Sequence, residues 1–173
     1  MLRPTASTRH SCQTLGRTLK TDAEIIDAVD ASFLGVLKPE HFTNHLHCEE
    51  CDEHDRILRQ HDRTSLRVEH VNNPGWDPLC FCSPHGKAYY MATLVRFALT
   101  NEQDEVLPYW QQLLFHLEGD GPNNALIAYC SESQRRVIGA FLEHLVESRA
   151  DTVETLGSTE DVLRTHAYWS NAA

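Results

Sequence analysis

The sequence predicts a mainly α, single-domain protein with one or two short strands. Three observations carry this. Two capping boxes, Thr21 with Glu24 and Ser131 with Gln134, each open an apolar stripe of helical period. A Ser-Pro pair at 83–84 opens a third such stripe. Only "LCFC" at 79–82 alternates in the manner of a strand. The chain has 173 residues, a length suited to one domain, and 41% of them are hydrophobic, enough for one core.

The elements follow in order. "TDAEIIDAVDASFLGVL" predicts a helix from Thr21, with Ile26, Val29 and Phe33 on one face and Pro39 as its stop. Residues 45–60 are charged and sparse in apolar side chains, and read as a one-faced helix or as a metal knuckle running into one. "DRTSLRVEHV" fits either a short helix or an extended segment. Pro74-Gly75 suits the centre of a type II turn, with Trp76 as a core anchor beneath it.

After the "LCFC" strand, the helix begun at Ser83 buries Tyr90, Leu94, Phe97 and Ala98. A further helix covers about Asp104 to Glu118, with Leu107, Trp110, Leu114 and Leu117 as its stripe and Pro108 tolerated in the first turn. "GDGPNN" ends it. Ser131 opens a helix burying Val137, Ile138, Phe141, Leu142 and Leu145, and a short last helix starts near Ser158. The organisation expected is a flexible basic arm over 1–20, a helical domain over 21–150, and a loosely packed tail with a short helix over 151–173.

Charge narrows the function classes. The chain is −10 overall, and Arg3, Arg9, Arg17 and Lys20 give residues 1–20 a charge of +4, so residues 21–173 carry −14. That acidity disfavours nucleic acid and suits a basic protein partner. The acid-free start reads as a disordered arm or an upstream start, with a transit peptide as the lesser alternative. It has no secretory apolar core, and no run is long enough to span a membrane. Six cysteines without a secretory signal predict a reducing, cytoplasmic setting, where clustered cysteines serve metal or redox chemistry.

The chemical clue is "HCEECDEH", residues 47–54. Cys48 and Cys51 have the spacing that supplies two zinc ligands from one turn. On a straight helix, His47, Cys51 and His54 fall within about 60° of one another, and Cys48 lies about 60° further round. All four do not reach one ion unless the helix breaks at its start. Cys80, Cys82 and His85 are sources for a missing ligand; an extended segment points Cys80 and Cys82 to one side. The candidate zinc set is therefore Cys48, Cys51, His54, His47 and Cys80.

Two other readings compete. Buried cysteine packs as a small hydrophobe. A redox pair needs a stabilised thiolate, and Glu49, Glu50, Asp52, Glu53 and Asp55 oppose one. The acidic run fits a solvated helix start and lacks the glycine and alternating oxygens of a calcium loop. There is no phosphate loop, nucleophile elbow or His-Glu-x-x-His, so no residue is assigned a catalytic role; His116 fits a helix C-terminus.

"PEHFTNHLHCEECDEHD", "NPGWDPLCF", Tyr89–Tyr90 and "LLFHLEGDGP" together resemble a family of uncharacterised bacterial proteins over about residues 25–148. The resemblance implies a bacterial cytosolic protein and an arm or misplaced start at 1–20. His47, Cys48, Cys51, His54 and Cys80 match its pattern, and Cys82 departs from it. The function expected is a non-enzymatic binding protein with a structural zinc that pins the charged second helix. The alternatives are a metal-dependent enzyme with an open site, and a metal-free helical accessory or immunity-type protein.

Overall fold

In the computed structural model, residues 19–101 and 108–171 are described, and the basic arm expected over 1–20 lies almost wholly outside them. The fold is mainly α, as the sequence predicts. Its helices are α1 (Asp22–Phe33), α2 (Glu49–Gln60), α3 (Pro84–Thr100), α4 (Tyr109–Glu118), α5 (Ala125–Tyr129), α6 (Glu132–Ser148), α7 (Ala150–Thr155) and α8 (Thr159–Asn171). None is long and apolar enough to cross a membrane.

Local chemistry sets the starts. Glu24 N–H donates to Thr21 Oγ1 at 3.3 Å while Glu24 Oε2 accepts from Thr21 N–H at 2.8 Å. Ser131 and Gln134 make the same reciprocal pair ahead of α6. Ser83 caps α3 through Gly86 N–H, with Pro84 at its first position. A side chain at Gly86 would meet Cys82 Sγ at 2.6 Å and Phe42 Cδ1 at 2.9 Å, so glycine lets α3 begin hard against the 42–43 segment.

Helix α3 is the centre, with α1, α4 and α5 against it; α6 packs on α1 and α8, and α8 closes on α4. The C-terminal prediction is corrected here. Residues 151–171 are part of the core: Val153, Val162 and Trp169 are buried, and Trp169 Nε1 donates to Leu117 O at 3.0 Å. A short amphipathic helix becomes core when a facing stripe exists, and α6 supplies one.

Three local expectations also change. "LCFC" is no strand: Pro78–Cys80 is a 3-10 turn, because Asp77 accepts from Leu79 N–H at 2.9 Å and Pro78 fixes the first φ. What remains of pairing is an isolated bridge between Thr43 and Cys82. Pro74–Trp76 is likewise a 3-10 turn, capped by Asn73 on Gly75 N–H, and Gly75 keeps a negative φ. Trp76 is 41% exposed and no core anchor. Pro108 is the N-cap of α4, and the helix start expected at Asp104 falls outside the described residues.

One cation ties the N-terminal half together. Arg63 donates to Phe33 O at 2.9 Å, Leu34 O at 3.1 Å, Tyr89 O at 2.7 Å and Val36 O, and its guanidinium lies 4.5 Å from the Tyr89 ring centre. It thereby meets the carbonyl-rich negative pole where α1 ends.

Candidate metal centre

Helix α2 begins at Glu49 because Cys48 is its N-cap: the cysteine backbone is extended and its Sγ accepts from Cys51 N–H at 3.4 Å. This is the break at the helix start that a convergent ligand set requires. Cys48 Sγ and Cys51 Sγ stand 3.2 Å apart, and His47 Nδ1 is 3.7 Å from Cys51 Sγ. His47, Cys48 and Cys51 thus offer three donor atoms within 4.8 Å of one another, with His47 and Cys48 exposed and Cys51 buried. Two thiolates on one zinc stand ~3.8 Å apart, so the pair accepts the ion by opening about half an ångström.

The two thiols are unlike. The Cys51 N–H, the Cys51 thiol and His47 hold Cys48 below the ordinary thiol value. The thiol contact with Cys48, burial, and the charges of Cys48 and Glu50 push Cys51 up. Glu50 adds a minor part to the rise at Cys51, while the main-chain donor at the helix start lowers Cys48.

His54 and Cys80 lie outside this group. The His54 ring is fully buried between Trp76 and Phe81, with ring centres 4.7 and 4.8 Å away. Its nitrogens make no hydrogen bond, and Nε2 is 3.8 Å from Glu50 Oε1. Cys80 joins Asp77 and His116 instead. The 3-10 turn at 78–80 places it on a cavity of about 670 Å³ that Tyr109, Gln112 and Phe115 also line. There Asp77 Oδ2 is 2.6 Å from His116 Nε2 and accepts from Gln112 Nε2 at 2.6 Å. Burial pushes the Asp77 carboxyl up, but the His116 and Gln112 contacts and the Leu79 N–H outweigh it and leave the group below its usual range. Burial and the Asp77 charge push the Cys80 thiol up. Cys82, expected beside Cys80, is buried, and burial raises its pKa to about 12.

No family model matches this chain, and neither the curated proteins nor the solved structures yielded a match.

A third grouping, His41, His45 and Asp55, is committed to holding the loop before α2. Asp55 Oδ1 accepts from Phe42 N–H at 2.6 Å and Thr43 N–H at 3.1 Å, and Oδ2 lies 2.8 Å from His41 Nδ1. Thr43 Oγ1 donates to Cys51 O at 2.7 Å. At the far end of α2, Lys38 donates to Arg59 O and His61 O, and Tyr90 to Leu58 O and His61 O. Leu58 is fully buried below. The charged helix is therefore docked by polar tethers at both ends. A metal on residues 47–51 would join atoms of a single turn and cross-link nothing distant.

The pairing of Asp77 with His116 had no sequence signal: the residues are 39 apart, and a turn and a helix must pack before they meet.

Proposed function

We propose that the protein binds zinc through His47, Cys48 and Cys51 and presents the ion's fourth position outward, to water or to a donor side chain of a partner. The observation that carries this reading is the convergence of three soft donors within 4.8 Å at the start of α2. Two thiolates and an imidazole are a zinc donor set. Exposure of His47 and Cys48 suits an ion that is exchanged or shared, in a binding protein. Glu49 and Glu50, both exposed beside the site, favour a basic partner. A reducing bacterial cytoplasm is the setting that keeps both thiols available.

Three protein ligands and an open position are also the pattern of catalytic zinc, so a metal-dependent enzyme is the second reading. Metal analysis of untagged protein, with cobalt substitution followed by absorbance, tests the site. The expected result is one ion per chain with a thiolate-to-cobalt band, lost in His47→Ala, Cys48→Ser and Cys51→Ser and kept in His54→Ala and Cys80→Ser. Less than about 0.2 equivalents of tightly bound metal would leave the metal-free accessory reading in its place.

A further inference from the structure

We propose that Cys48 and Cys51, when free of metal, act as a thiol–disulfide exchange pair toward small neutral or cationic disulfides, with Cys48 attacking and Cys51 resolving. This goes beyond zinc binding and does not depend on it.

The geometry assigns the order. Cys48 is exposed at the helix N-cap, where a disulfide approaches from solvent, and Cys51 is only 5% exposed behind it. Their sulfurs, 3.2 Å apart, need to close by about 1.2 Å to bond. Cys48 is the N-cap, outside the helix proper, so closure draws on its side chain and its cap bond to Cys51 N–H and not on the main-chain bonds of α2.

The exchange balances. Cys48 gives its proton to solvent and its thiolate attacks one sulfur of R–S–S–R′. The Cys48–S–R bond forms, the S–S bond breaks, and R′–S⁻ leaves with the electron pair and is protonated by solvent. Cys51 then gives its proton to solvent, and its thiolate attacks Cys48 Sγ. R–S⁻ leaves and takes up a proton. Two protein thiols are oxidised to one disulfide, and one substrate disulfide is reduced to two thiols.

The flanking charge sets the substrate class. Glu49 and Glu50 are exposed on the first turn and Asp52 and Glu53 half-buried behind them. Their field repels anionic disulfides and draws cationic ones.

The test uses the full chain stripped of metal by chelator, offered cystamine, hydroxyethyl disulfide or oxidised glutathione, with products located by intact mass and peptide mapping. Wild type is expected to end as the Cys48–Cys51 disulfide, and Cys51→Ser to stop as a mixed disulfide on Cys48. Cys48→Ser should react at least about tenfold more slowly, and cystamine at least about tenfold faster than oxidised glutathione at low salt, a ratio that narrows as salt rises. Melting curves confirm that each variant is folded. Exchange no faster than that of Cys80, first modification at Cys51, or a preference for oxidised glutathione would overturn the proposal. Zinc stoichiometry is measured separately: a chain that binds no zinc yet forms the disulfide keeps this inference and loses the other.

Discussion

Asp55 Oδ1 accepts the main-chain N–H of Phe42 at 2.6 Å. This one bond, with its companion from Thr43, fastens a helix that has few apolar residues to the segment where the chain enters the core. Replacing Asp55 by Ala leaves two buried N–H groups without an acceptor and is expected to cost about 3 kcal/mol in urea unfolding.

The same group sets an acid limit. Burial pushes the Asp55 carboxyl up, but His41 and the N–H groups of Thr43 and Phe42 hold it below its ordinary value. Asp77 is lowered as well. A depressed carboxyl adds stability that is complete above its unfolded pKa of about 4 and is lost as pH falls through its folded value. Melting temperature should therefore hold from neutrality to about pH 4 with respect to these groups and fall below it, and the fall should be shallower in Asp55→Asn.

Arg63 serves four carbonyls from two segments, residues 33–36 and α3. Arg63→Ala is expected to destabilise by about 3 kcal/mol, and Arg63→Lys to recover less than half. An ammonium has no planar fork to reach Phe33, Leu34 and Tyr89 together. Equilibrium unfolding of the two variants measures the difference.

Trp169 is 1% exposed and anchors α8 under α4. Trp169→Ala should cost about 3–5 kcal/mol, the range for a buried aromatic. A chain ending at residue 158 should lose its cooperative melt. A variant that melts like the parent would return the tail to the surface.

Without metal, the double change Cys48→Ser with Cys51→Ser should move the melting temperature by no more than a few degrees, since serine also caps a helix and the polar tethers of α2 are untouched. A loss of ten degrees or more in metal-free protein would make the pair itself a packing element.

The sequence by itself determined where α1, α3 and α6 begin. The caps at Thr21, Ser83 and Ser131 each close a hydrogen bond three residues away, so a short window holds all the chemistry. It also marked Cys48 and Cys51 as a pair, with His47 or His54 beside them, and left the choice of histidine open. Only the tertiary structure decided the rest. Cys80 turns from the cysteine pair to Asp77 and His116 because Asp77 folds residues 78–80 into a 3-10 turn, with no strand there. Trp169 enters the core because α6 and α4 leave an apolar face for α8. Local bonds are fixed by neighbours in sequence. Which distant donors meet is fixed by how the helices pack, and that is a property of the whole chain.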